Sequence, residues 1–372
     1  MLKFLKILSV FTGTIIGVGI FVLPFVVSKA GFLPVVFYFL LLSIIAIFIH
    51  FIYGEVSFGT KELHRLPGYT REYLGRNWEK ISILTVVLGL FGALLAYLIV
   101  GGEFLHLFLG SQFGGSPIIY TLLFFSFGSY LIFRGIKSIS EIELSLLVIF
   151  FSIVLLFLIK ALPSIDINYF KEINVKFLIF PYGVILFSLW GSAIVPEIKE
   201  MVQGDRKMLR KVITTGILIS TFTYLLFIFI VFGTSGPNTS KEAISGLSSV
   251  LGSNIIRLGF LFGIITCFTS FLTLGLTLKK VFWYDLGLSK NLSWFIASFI
   301  PLFLFLLGIR KFIDIIGFTG AIAIGIEGVI IVFLYREFSK KMLSKKMNPL
   351  FYILPIFFIL GVILEIFYFI WR

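Results

Sequence analysis

Residues Gly13-Thr14-Ile15-Ile16-Gly17-Val18-Gly19-Ile20-Phe21-Val22-Leu23-Pro24 place three glycines and a proline inside an apolar run long enough to cross a bilayer. A glycine inside a helix costs about 1 kcal/mol relative to alanine, so this segment is suited to opening rather than to staying regular. Open backbone at membrane depth survives only where it lines a cavity or is buried in protein. The chain is therefore expected to handle something polar within the membrane, not to serve as a passive anchor.

The rest of the sequence agrees with a membrane setting. Of 372 residues, 59% are hydrophobic and 13% charged, against about 25% charged in soluble domains. Mean hydropathy is +1.10, which makes the chain a polytopic membrane protein. The single cysteine, Cys267, excludes an intrachain disulfide and a cysteine metal cluster. His50, His64 and His106 form no metal-ligand or triad spacing, so neither an enzyme nor a metal or other cofactor is expected. The Met1-Leu2-Lys3-Phe4-Leu5-Lys6 start resembles a signal-peptide n-region. The apolar run that follows reaches Val27 without a small-residue cleavage site, and is expected to be a retained first helix.

With about 20 residues per span, cutting at charged and Gly/Pro/Asn/Ser-rich breaks predicts helices near 4–27, 33–57, 80–109, 117–133 and 143–160. The remainder predicts 177–200, 211–233, 254–280, 291–309, 312–335 and 348–370. No soluble domain is left over. With the N-terminus inside, 22 of the 31 Lys and Arg residues fall on the cytoplasmic side, among them Lys137, Lys345 and Lys346. That bias sets the orientation, with the C-terminus outside, and explains the net charge of +13 without a nucleic-acid partner.

A second interrupted span reads Phe180-Pro181-Tyr182-Gly183-Val184-Ile185-Leu186-Phe187-Ser188-Leu189-Trp190-Gly191-Ser192-Ala193-Ile194-Val195-Pro196-Glu197. Broken helices at matching positions in two halves point to inverted repeats around a midplane site. The halves are residues 4–160 and 177–335 within a single transmembrane domain, 1–372, with 348–370 as an added helix. Five helices per half invert the second half, as the charge distribution independently requires.

Gly13 to Pro24 resembles the first-helix motif of the amino acid/polyamine/organocation superfamily. Leu189 to Met201 is similar to the sixth helix of its amino acid/auxin permease group, and Phe268 to Leu276 to the eighth helix of the bacterial aromatic and hydroxy amino acid permeases. The resemblance covers essentially the whole chain. It implies an all-α leucine-transporter-type fold, a 5+5 inverted repeat with broken helices 1 and 6 plus an eleventh helix. The implied function is a secondary-active amino acid permease of the plasma (inner) membrane, coupled to H+ or Na+, that imports by alternating access. The alternative is a non-transporting amino acid sensor on the same fold. The partners implied are the amino acid, the coupling cation and the lipid bilayer, with no obligatory protein partner.

An amino acid needs N–H donors for its carboxylate and carbonyl acceptors for its ammonium. The N–H groups of Gly17, Val18 and Gly19 at the start of a half-helix suit the first need. The resemblance implies the carbonyls of Ile15, Phe187, Leu189 and Trp190 for the second, with Ser188 in the same break. Gly13 and Gly17 alone could equally be a small-residue packing pair. Tyr97, Phe187, Trp190 and Phe268 are expected to line the side-chain end. In sodium-coupled relatives the positions matching Thr269, Ser270, Gly13 and Ile16 hold the cation, while those hydroxyls could also bond back within their own helix. The fifth span lacks the mid-helix lysine of some proton-coupled relatives. Glu327, deep in the tenth span, and Glu197, after Pro196, are the proton and inner-gate candidates.

Overall fold

The computed structural model describes residues 2–62, 64–135, 140–344 and 348–371; the cations Lys137, Lys345, Lys346 and Arg372 lie outside them. The first span is two helices, α1 (Leu2–Ile15) and α2 (Gly19–Ala30), bent by 49° across the residues between them. There follow α3 (Phe32–Gly59), the short α4 (Leu66–Leu74), α5 (Arg76–Phe113), α6 (Pro117–Arg134) and α7 (Ser140–Ala161). The sixth span is α8 (Pro181–Ser188) and α9 (Val195–Val202), joined through a 3-10 turn over Ser192–Ile194. Next come α10 (Arg206–Ser235), the single turn α11 (Ser248–Leu251), α12 (Ser253–Lys280) and α13 (Lys290–Leu306). The tenth span is α14 (Phe312–Phe318), a π-helical turn over Thr319–Ile324 and α15 (Gly325–Met342), and α16 (Ile353–Trp371) is last.

Among the described residues nine helical segments are long and apolar enough to cross a membrane, the bent pair α1–α2 makes a tenth, and the shorter apolar α13 is the remaining one. Helix starts follow local chemistry. Pro117, Pro181 and Pro196 occupy first-turn positions, where a missing N–H costs nothing. Asp205 caps α10 by accepting from Met208 N–H at 2.9 Å. Large apolar side chains such as Phe37, Ile44, Phe127, Phe222 and Ile370 are exposed, as a lipid-facing belt requires.

Two elements differ from the expected spans. The third runs from Arg76 to Phe113 instead of 80–109, and its 38 residues are more than the roughly 20 that cross a bilayer. The helix α4 lies in what the hydropathy pattern leaves as a loop. It packs against α5 and α15 and is tied to the end of α3, with Tyr69 Oη 2.9 Å from Ser57 Oγ and Tyr73 Oη 2.9 Å from Thr60 Oγ1. Elsewhere α5 runs along α12 and α6, α1 lies beside α10 and α7, and α8 packs on the tenth span.

Candidate functional site

The two interrupted spans meet. Helix α1 ends at Ile15, and Gly17 N–H turns back onto the Ile15 carbonyl at 2.8 Å, so the next residues leave the helical path. Helix α8 ends at Ser188, with Trp190 N–H bonded to the Phe187 carbonyl at 3.3 Å. Between these ends stands Tyr224 of α10, fully buried, whose hydroxyl lies 2.6 Å from the Ile15 carbonyl oxygen and 2.9 Å from that of Ser188.

Glycine is needed here for close approach. A methyl group at Gly17 would fall on the Tyr97 hydroxyl, and one at Gly19 on the Ser188 hydroxyl. Tyr97 can therefore reach from α5 to the break, where its hydroxyl faces the Val18 backbone and Ser270. The cavity below the breaks is lined by Ile15, Gly19, Tyr97, Phe187, Trp190 and Glu327 among the expected residues. Its apolar wall is Val86, Leu90, Ala93, Leu274, Val281 and Ile324.

Consecutive residues of the sixth-span break are held by two different helices, α3 and α15. Gly191 N–H donates to His50 Nε2 at 2.9 Å, and Ser192 Oγ donates to the buried carboxylate of Glu327. His50 Nδ1 in turn lies 2.6 Å from the Ala46 carbonyl. Glu327 sits directly after the π-helical turn of the tenth span, a local widening that recurs at functional sites.

Not every expected residue is brought here. Phe268 is turned away, stacked on Phe127 with ring centroids 5.2 Å apart and edge-on to Phe124 at 5.4 Å. It packs between helices α12 and α6 and does not line the cavity. The Gly17 N–H is already engaged by Ile15, which leaves Val18 and Gly19 as the donors at the start of α2. Gly13, Ile16 and Thr269 do come together, lining a second small cavity with Thr266, Leu146, Leu147 and Phe150. Ser270 faces Tyr97 and does not line that cavity. Thr269 Oγ1 donates to the Thr266 carbonyl at 3.2 Å and Thr273 Oγ1 to that of Thr269 at 3.1 Å, the intrahelical habit of hydroxyls in membranes.

Glu197 is joined to the wall of the main cavity through Arg65. Its carboxylate pairs with Arg65 at 2.5 Å, and Lys280 stands 3.9 Å away; Arg65 itself lines the cavity. On the same face Lys199 donates to the carbonyls of Ser57 and Thr60, the latter at 3.0 Å. Sequence reasoning missed Tyr224, His50, Ser192 and Arg65. For His50 and Tyr224 the available signal was a polar ring inside an apolar run, which must find a partner in the absence of water.

The sequence profile of the tryptophan/tyrosine permease family matches residues 2–370. The chain belongs to this family. This permease is 25% identical over 329 residues to the "Tyrosine-specific transport system 1" of Haemophilus influenzae, covering 83% of the chain and 81% of that relative. Its fold is similar to that of MhsT crystallised with L-phenylalanine, with a TM-score of 0.67, 15% identity and 98% of each chain covered. It is also similar to the Eremococcus coleocola manganese transporter, at a TM-score of 0.71, 11% identity and 98% and 85% coverage. Inward-facing Mhp1 matches at a TM-score of 0.68, 12% identity and 99% and 90% coverage. The fold is thus the leucine-transporter type, broken at spans one and six, and the permease is a multi-pass membrane protein of amino acid transport.

Proposed function

We propose that this permease is a secondary-active, cation-coupled importer of aromatic amino acids that works by alternating access. The observation that carries the reading is the meeting of the two helix breaks at Tyr224, above a cavity with polar backbone at one end and an apolar wall at the other. An aromatic amino acid has that same division. The names of the H. influenzae relative and of the phenylalanine-bound MhsT structure support the aromatic class.

In this reading the substrate carboxylate takes the N–H groups of Val18 and Gly19 and the Tyr97 hydroxyl, helped by the positive end of α2. Its ammonium takes carbonyls from Ile15, Phe187, Leu189 and Trp190, and its ring lies along Phe187, Leu90, Ala93 and Val281. With the N-terminus cytoplasmic and the C-terminus outside, Arg65 and Glu197 form the cytoplasmic gate. Repeats 4–160 and 177–335 supply the moving parts, with 348–370 as an added helix. The cation is H+ or Na+; Gly13, Ile16 and Thr269 are the sodium candidates and Glu327 a proton candidate.

The test is uptake of radiolabelled tyrosine, tryptophan and phenylalanine into proteoliposomes, under a sodium gradient or a pH gradient imposed separately, beside Gly17→Leu. Concentrative uptake under one gradient, lost in the variant, is the expected result. Absence of accumulation under both gradients overturns the transport mechanism.

A further inference from the structure

The imidazole of His50 is fully buried and makes two hydrogen bonds of opposite sense. Because Nε2 accepts from a backbone N–H, it carries no proton, and the single ring proton is on Nδ1, donated to the Ala46 carbonyl. The faces and edges of the ring meet Phe11 at 5.9 Å and Trp190 at 5.3 Å between centroids. A second proton at Nε2 would point a donor at a donor. The Gly191 N–H would then have to leave, and Gly191 lines the cavity.

We infer that His50 is a proton-operated latch on the sixth-span break: protonation of Nε2 releases the Gly191 N–H into the cavity, where it joins Val18 and Gly19 on the substrate carboxylate, while the Trp190 carbonyl of the same planar peptide turns away and leaves the ammonium to Ile15, Phe187 and Leu189. This rests on the permease reading above and names its coupling ion. The step balances simply. Hydronium from the cavity gives its proton to Nε2 and leaves as water, one N–H bond forms on the ring, and the Gly191 hydrogen bond passes from nitrogen to carboxylate. The positive imidazolium and the negative carboxylate enter together, so each favours the other, and linkage makes the effect reciprocal.

The elements packed against α3 carry Tyr224, Lys207 and Lys211 on α10, Glu327, Tyr335, Arg336, Glu337, Lys340 and Lys341 on α15, Glu197, Lys199 and Glu200 on α9 and Tyr182 on α8; Tyr38 is on α3, and α1, which meets the ring through Phe11, carries Lys3 and Lys6. Arg206 and Arg210 pair with Glu55 near the end of α3, at 3.4 and 2.8 Å. Lys29, Tyr169 and Lys171 belong to the opposite end of α3, and Tyr53 is on α3 itself. Among the described residues, only Glu327 shares the break with His50, through Ser192.

The experiment measures binding of tyrosine, tryptophan and phenylalanine to the purified full-length permease between about pH 5.5 and 8. The wild type is expected to gain affinity as pH falls, approaching about tenfold per pH unit, as uptake of one proton per substrate requires. His50→Gln offers an acceptor and a donor but does not titrate, and its affinity is expected to be flat with pH. A His50→Gln protein that keeps the wild-type slope overturns the latch, as does a Glu327→Gln protein that alone becomes flat. Calorimetry of the wild type in phosphate and in Tris buffer counts protons directly and needs no variant: about one taken up per substrate supports the latch, and none overturns it. A wild type that binds with no pH dependence fails the latch alone. One that binds none of the three amino acids at any pH fails the permease reading and the latch with it.

Discussion

The hydroxyl of Tyr224 stands 2.6 Å from the carbonyl oxygen of Ile15, joining the end of one half-helix to α10, and the same hydroxyl reaches Ser188 at 2.9 Å. A hydroxyl has one proton and can satisfy one of these carbonyls at a time. The other stays available to an ammonium group. Tyr224→Phe leaves both carbonyls without this donor at a fully buried position, which costs about 1–3 kcal/mol. The expected outcome is a lower Tm of the purified protein together with reduced kcat for amino acid uptake. A variant with wild-type Tm and uptake contradicts the bridging role.

Gly17→Ala is expected to abolish tyrosine binding, because the added methyl lands on the Tyr97 hydroxyl. The contact is with the end of one side chain, the hydroxyl first and then Cζ at 2.9 Å and Cε1 at 3.1 Å, so it can be relieved in part. Adding Tyr97→Phe removes the hydroxyl but leaves Cζ 2.9 Å from the methyl, and should recover part of the stability, with a coupling of about 0.5–3 kcal/mol between the two substitutions in a thermal-unfolding cycle.

Arg65→Ala and Glu197→Gln each remove one side of the ion pair at the cavity wall. Thiol modification of an Ala193→Cys reporter, a residue that lines the cavity, should become several times faster from the face that carries the N-terminus. Combining the two substitutions should add little, since both break the same pair. Cys267 is fully buried and should contribute little background labelling.

Phe268→Ala should leave the order of preference among tyrosine, phenylalanine and tryptophan unchanged in competition assays, while lowering Tm. Its ring packs on Phe127 and Phe124 and not on the cavity. A change in preference would return this residue to the site.

The two breaks were legible because glycine and proline act on their own backbone, whatever packs around them. Tyr224 and His50 were not legible as site residues, because a sequence shows that a buried polar group needs a partner but not which helix provides it. Helix α4 was missed for another reason: Leu66 to Leu74 mixes Arg71 and Glu72 with its apolar residues, so no apolar window reveals it. Phe268 could have been placed correctly. At about 100° per residue it lies about 200° from Thr266 and as far from Ser270, which faces Tyr97, so it is on the other side of α12 from that contact.

The anchoring of α4 to the end of α3 through Tyr69 and Tyr73 bears on how the proposed Arg65–Glu197 gate is tuned. Arg65 directly precedes α4, at its N-cap, so the backbone share of the entropy of ordering that arginine is already lost before Glu197 is met. A preorganised arginine closes on its partner without waiting for a loop to search. The strength of closure is then set by charge and distance and depends little on loop length. Such a gate should tolerate insertions between Thr60 and Arg65 poorly only when they loosen the two tyrosine contacts, and otherwise keep its set point as the connecting segment drifts in sequence.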